Sequence, residues 1–320
     1  MAGSLSMVFP DPCPLPGLPD RVSVYEVGPR DGLQAENAVV PTDIKIEFIH
    51  RLQEAGLQAI EATSFVSPRW VPQLADATEV MAGISRRDGV RYPVLVPNER
   101  GYQRARAAGV QQIAVFVSAT ERFAQENLGT SLDGALAMAE AVIDRAVGDG
   151  LAVRGYVSMC FGDPWEGRVD RGRVADVAAR LVSRGCRTVS LGDTIGVATA
   201  GQVTAMVTAL ERAAVERTQV ALHLHDTYGQ ALTNVLAGLR AGITEFDASA
   251  GGLGGCPYAR SATGNLATED LLWLLIGLGI DAGVDLTALV RTSVWMADHL
   301  GRRSPSKVVR ALTSQLPPAP

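Results

Sequence analysis

The chain predicts an α/β fold, a (β/α)8 TIM barrel with a C-terminal helical appendage, on three observations. Eight segments have strand composition, and nearly all are separated by helix-patterned stretches, several closing on glycine at Gly109, Gly150, Gly185 and Gly242. Ionisable and metal-ligating residues collect just after these strand segments. No glycine-rich nucleotide fingerprint follows an early strand, which argues against the structural alternative, a doubly wound open sheet. Alternating strands and helices in this number imply parallel strands, and eight such units close most naturally into a barrel.

Taken in order, residues 22–27 (V-S-V-Y-E-V) alternate in a β-rich composition and run into Gly28-Pro29-Arg30-Asp31-Gly32, a sharp loop with a cation beside an anion. Thr42-Asp43 offers a cap for a helix over 44–55, apolar at Ile44, Phe48, Ile49 and Leu52 and closed by Gly56. A second strand over 57–62 carries Glu61 near its end, before a loop over 64–70. Further strands are expected over 92–96, 112–117, 152–158, 187–191, 220–225 and 244–248. Residues 281–310 read as one more helix, apolar at Leu286, Leu289, Val290, Val294 and Leu300. Added helices on barrels often bury subunit contacts, so a homodimer is expected.

The first 20 residues hold Pro10, Pro12, Pro14, Pro16 and Pro19 but no Lys or Arg, which fits neither a secretory signal nor a transit peptide. They read as a disordered or surface-lying leader. The expected division is a leader over 1–20, a catalytic barrel over 21–280 and a helical extension and tail over 281–320.

With 47% hydrophobic residues in 320, there is material for a large core, and the 20% charged residues are ordinary for a globular chain. A net charge of −5 supplies no basic stripe for a nucleic-acid backbone. No apolar run reaches the roughly 18–20 residues of a membrane span. Cys13, Cys160, Cys186 and Cys256 show no framework spacing and no C-x-x-C, as expected of free thiols in a reducing compartment.

Two of the four histidines, His223 and His225, stand two residues apart in A-L-H-L-H-D-T-Y-G-Q. On a strand both imidazoles project from one face, as a metal site requires, although two core histidines with backbone partners have the same spacing. In a barrel the strand ends share one mouth. Arg30 and Asp31 follow the first strand, Glu61 ends the second, Asp193 follows the sixth and the histidines end the seventh. A glycine-dense segment over 251–258 after the eighth carries Cys256, with Asn265 shortly beyond.

Two neutral imidazoles with Asp31 form a mixed N/O set that suits Mg²⁺ or Mn²⁺, while the same triad also accepts Fe²⁺ or Zn²⁺. A cation there would polarise the hydroxyl and carbonyl of a bidentate substrate, and Arg30 would neutralise an enolate oxygen. An exposed Arg30–Asp31 loop pair is the plainer reading, outweighed by its place at a mouth. Cys256 is either a small buried hydrophobe or a thiol that moves a proton. Cys160 and Cys186 read as structural, and His50 and His299 lie in helix patterns.

The segments G-P-R-D-G-L-Q, E-A-T-S-F-V-S-P-R-W-V-P-Q, S-L-G-D-T-I-G-V, H-L-H-D-T-Y-G-Q and G-G-L-G-G-C-P-Y-A-R-S-A-T-G-N-L-A-T-E-D resemble the hydroxymethylglutaryl-CoA lyase family. That family sits in a metallolyase barrel superfamily that also contains Claisen-type synthases, and the resemblance runs from about residue 22 to 307. It implies a (β/α)8 barrel and a divalent cation held by Asp31, His223, His225 and Asn265. It further implies an enolate-stabilising Arg30, proton transfer through Cys256, and support from Glu61 and Asp193. The implied reaction is retro-Claisen cleavage of 3-hydroxy-3-methylglutaryl-CoA to acetyl-CoA and acetoacetate, with Asp31 or His223 as candidate base. This is the chemistry of leucine degradation and of ketone-body-type metabolism.

The chain departs from the family at Met159-Cys160-Phe161, where relatives carry smaller residues, and at Asn37, where animal relatives have lysine. Its C-terminus has neither a peroxisomal tripeptide nor the terminal cysteine of animal relatives, so a bacterial cytoplasmic enzyme is expected. Arg302 and Arg303 are expected at the CoA phosphates, the alternative being a solvated basic helix end. Competing functions are a lyase for a longer 3-hydroxy-3-alkylglutaryl-CoA, a Claisen-type synthase, and a non-catalytic acyl-CoA- or metal-binding protein.

Overall fold

In the computed structural model, which describes residues 9–255 and 264–313, eight parallel strands form one sheet: β1 (Ser23–Glu26), β2 (Thr63–Ser64), β3 (Val94–Leu95), β4 (Gln112–Ser118), β5 (Ala152–Ser158), β6 (Cys186–Asp193), β7 (Val220–Leu224) and β8 (Glu245–Ala248). They pair in the order β1-β8-β7-β6-β5-β4-β3-β2. A parallel bridge from Glu26 to Ile60 closes the ring, with Glu26 N donating to Ala59 O at 2.9 Å and Glu61 N to Glu26 O at 2.8 Å. The expected second strand over 57–62 therefore takes part through single bridges, while its regular ladder with β3 falls one step later, at Thr63–Ser64.

Helices α1 (Thr42–Glu54), α2 (Ala77–Gly83), α3 (Glu99–Ala107), α4 (Glu121–Leu128), α5 (Leu132–Gly148), α6 (Arg171–Arg184), α7 (Ala200–Arg212), α8 (Ala231–Arg240) and α9 (Thr268–Gly277) fall between and after the strands. Alternation sorts each strand's side chains. Leu222 and Leu224 of β7 join the large core between sheet and helices, and His223 between them turns to the lumen. The lumen holds its own small apolar cluster, Tyr25, Val27, Ala59, Leu95, Ala114 and Tyr156. Gly238 lets α8 close on this wall, because a Cβ there would lie 2.6 Å from Leu222 Cδ1.

Two local readings are corrected. Thr42 is the first residue of α1, not its cap, and its hydroxyl donates instead to Asp76 Oδ2 at 2.7 Å. Residues 281–310 form two helices, α10 (Leu286–His299) and α11 (Lys307–Thr313). Gly301, in the left-handed region at φ +62°, and Pro305 interrupt the pattern between them. Over its described part, residues 9–20, the leader lies on the surface, one of the two readings its composition allowed: Cys13 N donates to Gly277 O at 2.8 Å and Phe9 stacks on Trp273. Among the described residues no helix is long and apolar enough to cross a membrane.

Two buried carboxylates fasten the loop after β8. Glu26 Oε1 accepts from Gly28 N and Ala250 N, both at 2.8 Å, and Oε2 accepts from Thr268 Oγ1 at 2.7 Å. Glu269 accepts from Gly251 N at 2.8 Å and from the Ser293 hydroxyl. Burial pushes Glu269 up to about 8 against these hydrogen bonds, and Glu26 to about 7. A carboxyl whose folded pKa is raised holds its proton better folded than unfolded, so stability falls as pH rises from about 4.5, the ordinary value, to about 8. Glu269→Gln should flatten the decline in Tm across that window in thermal denaturation. An unaltered slope would mean that Glu269 stays ionised throughout.

Candidate metal centre and active site

The turn Gly28–Gly32 winds as a short π-helix directly after β1 and presents Arg30 and Asp31 side by side. Arg30 is buried, donating from Nε to Glu61 Oε2 at 2.6 Å and from Nη1 to Asp31 Oδ1. Its guanidinium lies over the Tyr156 ring, 5.3 Å from the centroid, while the Tyr156 hydroxyl donates to Glu61 Oε2 at 3.2 Å. Glu61 thus orients the arginine from the neighbouring strand segment, which pairs with β1 at Glu26. Burial raises the Glu61 pKa, and the Arg30 charge opposes that rise.

Asp31 Oδ2 accepts from Asn265 Nδ2 at 2.8 Å and lies 4.0 Å from His223 Nε2. His223 Nε2 and His225 Nε2 face each other at 3.2 Å. Asp31, His223 and His225 bring one ligand atom each to within 4.8 Å of one another. Asn265 is carried to them by a bridge to His225, and its Nδ2 also donates to Leu253 O at 3.1 Å. Its Oδ1 is buried without a hydrogen-bond partner, and so is His225 Nδ1. Buried polar atoms without partners are rare, and an unpartnered amide oxygen beside a carboxylate and two imidazoles is what a bound cation would satisfy.

The protonation states of Asp31 and His225 suit a cation. Burial lowers His223, but the Asp247 hydrogen bond and the Asp31 charge prevail and raise it above the ordinary imidazole value, so a cation would displace its second proton. Burial pulls His225 down to about 3, so this ring is neutral. Burial alone would raise Asp31, but the Arg30 and His223 charges beside it prevail and hold it at about 2. A carboxylate and a neutral imidazole are the forms that bind metal.

Asp193, the last residue of β6, lies close enough to His223 to interact with it electrostatically. Both its oxygens accept from Ala198 N at 3.1 Å, so the carboxylate braces the loop after β6 and is pushed by burial up to about 7. Cys256 lies outside the described residues. Arg302 pairs with Glu36, while Arg303, Lys307 and Arg310 join it around a cleft of about 810 Å³ between α10 and α11. Lys307 Nζ donates to Asp226 Oδ2 at 2.5 Å, holding α11 against the loop after β7.

Sequence reasoning missed three lumen residues. Asp247 accepts from Ser190 Oγ at 2.7 Å and from Arg154 Nη2 at 2.5 Å, and it meets His223 Nδ1 at 3.2 Å. The available signal was a charge inside an otherwise strand-like run, Arg154 in A-V-R-G-Y-V-S and Asp247 in E-F-D-A.

A model of HMGL-like proteins matches residues 21–295. The chain belongs to the HMGL-like family. It is 50% identical over 293 residues to the mitochondrial hydroxymethylglutaryl-CoA lyase of Bos taurus, covering 92% of this chain and 90% of that one. The hydroxymethylglutaryl-CoA lyase structure from Pseudomonas aeruginosa superposes with a TM-score of 0.91 at 47% identity, over 94% of this chain and all of that one. An HMG-CoA lyase from Acinetobacter baumannii in complex with coenzyme A and 3-methylmalate matches at TM-score 0.88 and 37% identity, over 94% and 98% of the two chains.

This HMGL-like barrel therefore presents an Asp–His–His cluster that could hold a metal ion, beside a buried, carboxylate-held arginine. Asp31→Asn should weaken Mn²⁺ binding by about 100-fold or more in calorimetry of the metal-stripped protein, since it removes the one anionic ligand. Binding equal to the parent's would place the cation elsewhere.

Proposed function

We propose that the chain is a metal-dependent carbon–carbon lyase, cleaving 3-hydroxy-3-methylglutaryl-CoA to acetyl-CoA and acetoacetate. The observation that carries this reading is the pairing, at one mouth, of the Asp31–His223–His225 cluster with Arg30, in a chain half identical to a hydroxymethylglutaryl-CoA lyase along nine-tenths of both lengths.

What Mg²⁺ or Mn²⁺ held by Asp31, His223, His225 and Asn265 would supply is Lewis acidity toward the tertiary hydroxyl and a neighbouring oxygen of the substrate. Cleavage takes the hydroxyl proton, forms the C3 carbonyl of acetoacetate and leaves the C2–C3 electron pair on the thioester fragment as an enolate. Of the candidate bases Asp31 and His223, the histidine has no free lone pair while Nδ1 faces Asp247 and Nε2 faces the metal position, which leaves the Asp31 carboxylate. Arg30 receives the enolate oxygen: its charge is permanent, and Glu61 and Asp31 fix the fork before substrate arrives, so little reorganisation is needed. Protonation at C2 completes acetyl-CoA, and the Cys256 thiol is our candidate for that proton path. The cleft with Arg302, Arg303, Lys307 and Arg310 is our candidate for the CoA phosphates.

The test is release of acetyl-CoA and acetoacetate by the purified chain with Mg²⁺ or Mn²⁺. Arg30→Gln should lower kcat by about 10³-fold or more. The double change R302S/R303S should raise KM with little loss in kcat, as uniform binding predicts. Intact substrate with metal bound, or faster cleavage of a longer 3-alkyl homologue, would overturn the substrate assignment.

A further inference from the structure

Strands β7 and β8 pair in a register that sets His223 directly opposite Asp247. We propose that Asp247 is a positioning residue which presets the ring and tautomer of His223, so that the Nε2 lone pair points to the metal position, whereas His225 is not preset in this way. The inference rests on the metal-site reading and concerns how the site is prepared.

The geometry supplies each step. Asp247 is buried, with its side chain fully shielded from solvent. Its oxygens are held from two other strands: Arg154 of β5 donates Nη2 to Oδ1 at 2.5 Å, and Ser190 of β6 donates Oγ to Oδ2 at 2.7 Å. A carboxylate only accepts hydrogen bonds. The 3.2 Å contact between His223 Nδ1 and Asp247 Oδ2 is therefore satisfied when Nδ1 carries the proton. A neutral ring then has its lone pair on Nε2, the atom that lies 3.2 Å from His225 Nε2 and 4.0 Å from Asp31 Oδ2. The Tyr156 ring, edge-on at 6.1 Å between centroids, limits rotation of the imidazole.

His225 has no such guide. Its Nδ1 is buried without a partner, and its Nε2 meets only the other imidazole, His223 Nε2 at 3.2 Å, so among the described residues no hydrogen-bonded carboxylate fixes its ring as Asp247 fixes that of His223. Neutralising Arg154 does not by itself account for the placement of Asp247, because Arg154 also pairs with Glu245, further down the same strand. Asp247 Oδ2 is the oxygen that faces both Ser190 and the histidine. Outer carboxylates on metal-binding imidazoles typically contribute about 10- to 100-fold in metal affinity.

The experiment uses the full chain stripped of metal, titrated with Mn²⁺ by calorimetry, together with ¹⁵N NMR of the imidazoles in the metal-free state. His223 should be in the Nδ1–H form, and Asp247→Asn should give mixed tautomers and bind Mn²⁺ about 10- to 100-fold more weakly. Ser190→Ala, which leaves both charges of the lumen pair in place, should weaken binding by about fivefold, and it decides the matter if Asp247→Asn does not fold. Glu245→Gln also loosens Arg154 but does not touch His223, and should bind within about twofold of the parent. The inference is overturned by an unchanged tautomer with unchanged affinity, or by an equal loss in Glu245→Gln. A parent chain that binds no Mn²⁺ while its tautomer still depends on Asp247 would sink the metal-site reading and leave the positioning role standing.

Discussion

Everything at the mouth of this barrel depends on closure of the sheet at Glu26. The ladders leave β1 and β2 as the two ends of the strand order, and the backbone of Glu26 spans the seam by exchanging hydrogen bonds with Ala59 and Glu61. The side chain of the same residue then ties together Gly28, Ala250 and Thr268. These are the segments that lead to Asp31, to the glycine-dense loop and away from Asn265. One residue thus closes the ring and sets the relative positions of Asp31 and Asn265, which are more than 200 residues apart in the chain. Burying a carboxylate is costly, and its three donors offset only part of that cost, since burial still holds Glu26 at about 7.

The lumen carries more charge than a packed barrel interior ordinarily holds, arranged in two clusters. Arg30 lies between Glu61 and Asp31, and Arg154 lies between Asp247 and Glu245. Paired buried ions contribute little net stability, because desolvation consumes most of the attraction. What they do supply is geometry: removing either partner strands the other, so each side chain is confined to one arrangement. In the upper cluster that confinement aims a guanidinium, and in the lower one it holds a carboxylate against a histidine.

Much of this was legible in the sequence, for definite reasons. Period-two alternation made the His223–His225 pair readable as one face, and the count of alternating units made the barrel readable as a closed sheet. Glu61, Arg30 and Asp31 were found because charges between glycine and proline, or at a strand end, break the local pattern. Asp247 and Arg154 were not: a charge inside a strand-like run marked each of them, but their partners are set by pairing between strands, which the local pattern does not encode. The break in residues 281–310 was readable in principle: Gly301 and Pro305 stood in the sequence, but the apolar spacing on either side outweighed them. Thr42 shows the converse, a good capping residue whose hydroxyl finds a better partner in Asp76.

The two histidines are not equivalent, and the asymmetry follows from where β7 ends. His223 lies within the ladder, opposite a residue of β8, so its outer nitrogen meets a side chain fixed by the sheet. His225 lies one step beyond the strand, bridged to Asn265. Its outer nitrogen faces no partner, and burial makes protonation unfavourable. The first imidazole of the cluster is thus held on its outer side and the second is not. Asp31 and Asn265, joined by a single hydrogen bond, complete the site from segments that Glu26 fastens. The strand supplies the fixed direction, and the loops supply the freedom to accommodate a cation and its substrate together.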